Sequence, residues 1–343
     1  MTVHTLPPIT YLASADVARV CAGLPVVELV RETLLAVRAG KAGLTPEAAL
    51  RWTTSSGASA RSLILPGWAG DSYGCKIINA SLGNQALGLP RAAGLIVLDD
   101  PETARPLCIM EGALISALRT AGVSLAAVGA VRDLAGIGRV AFLGCGRQAE
   151  VHHGLLAPLA TGLREVVLHD RDGARAEQAA ATWAAARPEV VVSVAERPEE
   201  AVSRADLTFA VTTTTEPYVE LDWVPEGGTF VNVSLDDAAE SLLLGCDHLF
   251  VDDWQLVAED GHRLLGVLAG AGRVTGPGAP APEGGRSVDA ALPDLLAGAY
   301  RRQVGGRDRV VINPFGMGVH DIAVAAAVHT RAAERGLGTR LPH

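Results

Sequence analysis

The stretch VAFLGCGRQAEVHHG, residues 140–154, constrains the fold more than any other part of the chain. Four apolar residues run into Gly144-Cys145-Gly146 and then into a helical pattern. In a strand–turn–helix unit of this kind the first glycine permits a tight bend, and the second lets the backbone approach a pyrophosphate. The helix that opens at about Arg147 would offer its free N–H groups to that anion. Ala149 stands where a third glycine is usual, which helix–strand packing tolerates. Around the turn, apolar strands alternate with helices: RVAFLG, QAEVHHGLLAPLA, REVVLHD and ARAEQAAATWAAA, then the strands VVVSVA, DLTFAVT, GTFVNVS and HLFVDD. Such alternation means βαβ units and a parallel sheet. The expected class is α/β, with a Rossmann-type parallel-sheet domain over residues 126–314.

The turn begins near mid-chain, and 343 residues suit two domains. Residues 9–40 carry two helical patterns, ADVARVCAG and PVVELVRETLLAVRAG. ALRWTTS, RSLILPGW, GCKIINAS, AAGLIVLDD and PLCIM then read as strands of an antiparallel sheet, and EGALISALRTAGVSLAAVGAVRDL as a long helix. This predicts an N-terminal α+β unit. Residues 271–286, rich in glycine and proline, read as a mobile surface loop. After VVINPFGMG, a strand and glycine turn, GVHDIAVAAAVHTRAAERG reads as an amphipathic helix.

Composition excludes several functions. Apolar residues make up 49% and charged residues 20%, so the chain can bury a sizeable core. Net charge is −9 and the basic residues form no runs, so neither nucleic acid nor a membrane surface is an expected partner. No apolar run reads as long and clean enough to span a bilayer, and MTVHTLPPITYLASADVARV lacks the pattern of a signal peptide. The five cysteines are odd in number, scattered and without a CxxC pair, as expected of reduced thiols in a cytoplasmic protein. His152 and His153 have no metal-ligand spacing and read as solvated or helix-packing residues, so no metal is expected.

Two single residues carry more information. Asp170 ends REVVLHD, 26 positions beyond Gly144. An acid at the end of the second Rossmann strand accepts hydrogen bonds from ribose hydroxyls and repels a 2′-phosphate, which favours NAD. Arg171 and Arg175 lie near enough to serve NADP instead, and Asp170 could equally cap the helix that follows. The chain holds only two lysines. Lys41 lies in the polar RAGKAGLTPE, but Lys76 lies between apolar neighbours in YGCKIINA. A buried lysine can be tuned where arginine cannot; the alternative is a strand lysine that snorkels to solvent.

KIINASLGNQALGLPRAAG, LDDPETARPLCIMEGALISALRTAG, FLGCGRQAE and NPFGMGVHDIA together resemble the ornithine cyclodeaminase/mu-crystallin family over nearly the whole chain. EGALIS, VNVSLDD and NPFGMGVHD are most similar to one branch, the dehydrogenases of 2,3-diaminopropionate biosynthesis in siderophore and peptide-antibiotic pathways. The resemblance implies that residues 1–125, joined by 315–343, form a substrate-binding domain that pairs with its twin in a homodimer. It implies that Arg51, Lys76 and Arg119 gather a substrate carboxylate, with Asn84 in the same group. Guanidinium groups suit that task because they bind carboxylates bidentately. Arg119 on an alanine-rich helix could otherwise be a salt-bridge residue. The catalytic aspartate falls at Asp237 of VNVSLDD, with Asp236 as the alternative, and a turn or helix-cap role suits one of the pair. Gly144, Gly146, Arg147, Gln148, Ala149, Asp170, Arg171, Thr212, Thr213 and Ser234 form the implied NAD-binding group.

This constellation reads as amino-acid C–N chemistry: a hydride leaves a Cα that carries an amine, Asp237 moves a proton, and Lys76 polarises the carboxylate or activates water. Attack by an internal amine gives a cyclic amino acid, with the hydride returned. Attack by water gives a keto acid, a free amine and NADH. The family's cyclodeaminases often carry a glutamate in the strand ending at Pro66. RSLILP has no acid, and Arg61 nearby suits a substrate with extra carboxylates. The leading expectation is NAD-dependent oxidative hydrolysis of N-(2-amino-2-carboxyethyl)-L-glutamate to 2,3-diaminopropionate and 2-oxoglutarate. The alternatives are an ornithine or lysine cyclodeaminase, a ketimine (imino acid) reductase, and a non-catalytic, mu-crystallin-like ligand-binding protein.

Overall fold

The computed structural model describes residues 7–342, so the first six residues of the stretch read for a signal peptide lie outside it. The chain forms two compact units, one running to Arg119 and resuming at Met317, the other spanning Thr120–Gly316.

The first unit is built on an eight-stranded sheet. The strands Pro106–Glu111, Ala92–Asp99, Ser72–Ser81 and Ser59–Ala69 follow one another antiparallel, and Ala42–Leu44 and Ala48–Thr53 both pair with Ser59–Ala69. The pleat sends alternate side chains to opposite faces. Ile96 and Leu98 point inward, at 0% and 4% exposure, while Leu95, next to Ile96 on the opposite face, is 42% exposed. The helices Val26–Arg38 and Gly318–Glu334 pack on the sheet, and each fully buried Leu, Ile or Val contributes roughly 1.5–3 kcal/mol. The C-terminal helix begins with a close approach. A Cβ on Gly318 would stand 2.9 Å from the Leu65 Cβ, so glycine lets the first turn settle on the strand.

The second unit is an eight-stranded parallel sheet. Its spatial order is Val191–Val194, Glu165–His169, Arg139–Leu143, Leu207–Ala210, Thr229–Asn232, Val310–Asn313, His248–Val251 and Ala290–Ala291. The central strands are buried along their length, as expected where helices cover both faces of a parallel sheet. The order reverses at Arg139–Leu143: the chain first runs outward to Val191–Val194, then restarts on the other side at Leu207–Ala210. A switch point of this kind leaves a crevice at the carboxyl ends of the strands, where dinucleotides bind. The α/β, Rossmann-type architecture read from the sequence is the architecture observed.

The structure differs from the sequence reading in three places. The segment read only for its helices starts with a strand, Ile9–Leu12, which pairs parallel with Pro106–Glu111 and antiparallel with a second unforeseen strand, Thr339–Leu341. Residues 271–286 are tied down: Val274–Thr275 pairs with Arg286–Ser287, and the Arg286 guanidinium donates to the carbonyls of Leu243 and Cys246. The helix Ala113–Val131 is long and apolar enough, by length and composition, to cross a membrane, contrary to expectation; 61% of that window is buried within the protein. A single arginine, Arg119, does not outweigh its alanine, leucine and valine content.

Candidate active site

At the switch point, Gly144 takes a φ of +89°, and a Cβ there would stand 2.9 Å from the Val211 carbonyl oxygen. Its N–H donates to the His169 carbonyl at 2.8 Å, locking the turn to the neighbouring strand. Gly146 begins the helix Arg147–Leu156, and a Cβ built on it meets nothing within 4 Å, so the helix N-terminus opens onto free space. The buried Gln148 Oε1 has no hydrogen-bond partner. Ala149 is fully buried against the sheet, and Arg147 pairs at the surface with Glu150. A tight glycine turn that leads into an open helix N-terminus of free N–H groups fits a dinucleotide pyrophosphate.

Asp170 lies at the end of the adjoining strand. Its carboxylate accepts from the N–H groups of Cys145, at 2.8 Å, and Asp172, at 2.9 Å. The cap of the next helix is Asp172, so the N-cap alternative for Asp170 is not realised. Arg171 and Thr213 are exposed.

Asp237 is fully buried beyond the strand Thr229–Asn232. Its Oδ1 accepts from the hydroxyls of Thr212, at 2.7 Å, and Tyr218, at 3.1 Å, and its Oδ2 from Ser234. Its own N–H donates to Asn232 Oδ1, and Asn232 donates to Asn313. Leu235, at a φ of +74°, supplies the bend that presents it. Burial pushes the Asp237 carboxyl up, the hydroxyls of Ser234, Thr212 and Tyr218 pull it down, the charge of Asp236 pushes it up again, and the net direction is upward. Asp236 is held in an ion pair with Arg263. Of the adjacent aspartates, Asp237 therefore has the setting of a proton-transfer group.

In the first unit, Lys76 is 2% exposed and does not snorkel. Its Nζ donates to Asp321 Oδ2 at 2.7 Å and to Ser116 Oγ at 3.2 Å. Arg119 Nε lies 3.2 Å from the same Oδ2. Arg119 is thus an ion-pair residue, but it shares its one acid with a second cation. Burial first, and then the Arg119 charge, lower the Lys76 ammonium to about 8 against the pull of Asp321. Burial raises the Asp321 carboxyl, but Arg119 and Lys76 outweigh it and hold the group below its ordinary value. His320 is fully buried with both ring nitrogens unpartnered, and burial, reinforced by Arg119, lowers it to about 3.

Arg51 and Arg61 stand opposite each other on adjacent antiparallel strands. Leu65 is the cross-strand partner of Lys76, so Arg61 and Lys76 share one face of the sheet. Asn84 opens the turn Asn84–Leu87, and its side chain donates to the Pro90 carbonyl.

His152 bonds to Ser124 and to the Gln148 carbonyl, and His153 stacks on Trp183 at 4.1 Å. Both are packing residues. Among the described residues no group of His, Cys, Asp and Glu could hold a metal ion.

Sequence reasoning missed Asp321, Tyr218 and Ser116. Asp321 left a signal: it is the one acid in the first turn of an apolar helix, within NPFGMGVHDIA.

The profile of the ornithine cyclodeaminase/mu-crystallin family matches residues 12–336. The chain is 27% identical over 287 residues to N-((2S)-2-amino-2-carboxyethyl)-L-glutamate dehydrogenase of Staphylococcus aureus, covering 82% of each chain. It superposes on the crystal structure of CmnK with a TM-score of 0.89 and 34% identity, covering 98% of both chains. It superposes on an archaeal alanine dehydrogenase dimer with bound NAD at a TM-score of 0.81 and 23% identity, covering 97% of this chain and 98% of the other.

Proposed function

Because the chain belongs to the ornithine cyclodeaminase/mu-crystallin family, we propose that it is an NAD-dependent amino-acid dehydrogenase that hydrolyses N-(2-amino-2-carboxyethyl)-L-glutamate oxidatively. The products are 2,3-diaminopropionate and 2-oxoglutarate. The relative from Staphylococcus aureus supports the substrate, and the observation that carries it here is the arginine pair.

Arg51 stands directly opposite Arg61, so two positive side chains share one place on the sheet. Arg61 lies four residues along the sheet from the level of Lys76, about 13 Å. Long arginine side chains close much of that gap, so one end of a substrate can meet Lys76 and Arg119 while a second carboxylate meets the arginine pair. A terminal ammonium, as in ornithine or lysine, would meet cations. The strand Ser59–Ala69 contains no acid to receive it.

NAD, when bound, supplies the acceptor for the hydride from the substrate Cα. The residues that would hold it are Gly144, Gly146, Gln148 and Asp170, with Arg147, Ala149, Arg171, Thr212, Thr213 and Ser234 around them. Lys76 and Arg119 bind and orient the α-carboxylate. Asp237, raised by burial, takes a proton near the substrate amine and returns it to the leaving amine. Water completes the hydrolysis, so the keto acid and the free amine separate.

The unit holding Lys76 serves as substrate and dimerisation domain, and the unit holding Gly144 as cofactor domain. The sheet face away from the helices exposes Leu50, Trp52, Ile64, Tyr73 and Leu95, an apolar surface that supports a homodimer. The scattered cysteines support a cytoplasmic location. The test is to incubate purified protein with NAD and the synthetic substrate. Mass spectrometry should find 2,3-diaminopropionate and 2-oxoglutarate in equal amounts; consumption of ornithine in its place would overturn the reading.

A further inference from the structure

The helix Gly318–Glu334 returns to the first unit and sets one acid against two cations that belong to distant segments. We propose that Asp321 is a positioning residue: its buried carboxylate holds the Lys76 ammonium and the Arg119 guanidinium together as one carboxylate-binding pair with a net charge of about +1. The inference rests on the reading that this pair takes the substrate's α-carboxylate.

Both cations reach the same oxygen, Oδ2, and Oδ1 is left without a hydrogen-bond partner. The acid is fully buried. Ser116 Oγ, one turn before Arg119 on the same helix, gives the ammonium its second contact. Three elements thus fix one nitrogen: the strand Ser72–Ser81, the helix Ala113–Val131 and the C-terminal helix. Two cations at this spacing repel each other. Arginine cannot relieve the repulsion by losing its proton, but lysine can. Asp321 therefore decides whether Lys76 stays charged.

The groups acting on Lys76 support this account. Asp321 and His320 face it from the C-terminal helix, Arg119 and Ser116 from Ala113–Val131, and Glu47 from the segment before Ala48–Thr53. His320 is held neutral, so it adds no charge. Asp321 and Glu47 raise the ammonium, and burial and Arg119 lower it. Of these charged groups Asp321 is the one in hydrogen-bond contact with the ammonium, so its loss tips the balance toward a neutral amine.

The chain's two lysines make the test direct. Full-length protein labelled with 13C at lysine Cε gives two NMR signals, one from exposed Lys41 and one from Lys76. Their pH titrations need no substrate. The wild-type Lys76 midpoint is expected at about 8. In Asp321→Asn it should fall by about one unit or more, and in Asp321→Glu it should be restored. A midpoint that stays in place in Asp321→Asn overturns the inference. Should that variant not fold, Arg119→Met decides. Freed of its competitor, Asp321 should serve Lys76 alone and raise the midpoint by about one unit, and an unmoved midpoint overturns the shared-carboxylate arrangement. A wrong substrate leaves all these titrations unchanged, so the two readings fail separately.

Discussion

The Asp170 carboxylate accepts the Cys145 N–H at 2.8 Å, so the acid proposed to face the cofactor also pins the glycine turn proposed to cradle it. Its other oxygen accepts from Asp172. Asp170 is thus held at the strand end, where ribose hydroxyls would find it and a 2′-phosphate would meet its charge. NAD should bind at least about tenfold more tightly than NADP, about 1.4 kcal/mol. Asp170→Ala should erase that preference and also weaken NADH itself, because the turn loses its tether. Fluorescence titration with NADH and NADPH reads both effects. Equal affinities in the wild type would remove the role assigned to Asp170.

The two adjacent aspartates should separate cleanly. Asp237→Asn keeps the shape of the site and should keep NAD binding, while turnover falls by about two orders of magnitude, the usual scale for a general acid–base group. Asp236 is in an ion pair with Arg263, so Asp236→Asn should lower stability by about 1.5–3 kcal/mol, the range for a hydrogen bond to a charged group. Denaturant melts and steady-state kinetics on both variants check this. An active Asp237→Asn beside a dead Asp236→Asn would exchange the roles.

Lys76 predicts a pH limb. Its ammonium is lowered to about 8, by burial first and by Arg119 next. The charged form binds a carboxylate, and it persists below the midpoint and disappears above it. KM should therefore hold near neutrality and rise as pH increases through about 8, where an unperturbed lysine would keep its charge to about 10. Lys76→Arg cannot deprotonate, so in that variant the limb should vanish even if kcat suffers. A wild-type KM that is flat across this range would sink the assignment.

What could be read from the sequence depended on distance along the chain. The glycine turn, the strand before it and the acid after it lie within one local unit, and their placement follows from spacing alone. The strands Ile9–Leu12 and Thr339–Leu341 were not legible because each is short and finds its partner at the far end of the chain. The same holds for Asp321, whose bond to Lys76 joins residues 245 positions apart. The motif around it was visible, but the partner was not. Arg51 and Arg61 were each noticed; that they face one another required the register of the hairpin. Residues 271–286 have the composition of a free loop, and one arginine, Arg286, ties them down through backbone carbonyls that no sequence pattern announces.

The arginine pair and the acid-free strand beside it lead to a test by redox balance. A cyclodeaminase returns its hydride, so NADH does not accumulate as substrate is consumed. An oxidative hydrolase releases the keto acid and cannot return it. With N-(2-amino-2-carboxyethyl)-L-glutamate the protein should therefore form one NADH per substrate consumed, read by absorbance against product quantified by mass spectrometry. Ornithine and lysine should give no cyclic imino acid, because their distal ammonium would approach Arg51 and Arg61 on a strand without a carboxylate. Arg61→Ala should chiefly raise KM. A carboxylate contact kept equally in the ground and transition states is uniform binding, and its loss leaves kcat nearly unchanged. The rise should be about tenfold or more, as expected for one charge-assisted contact of roughly 1.5–3 kcal/mol. Proline formed from ornithine without net NADH would instead make the enzyme a cyclodeaminase, and an Arg61→Ala variant with unchanged KM would remove the distal carboxylate from the arginine pair.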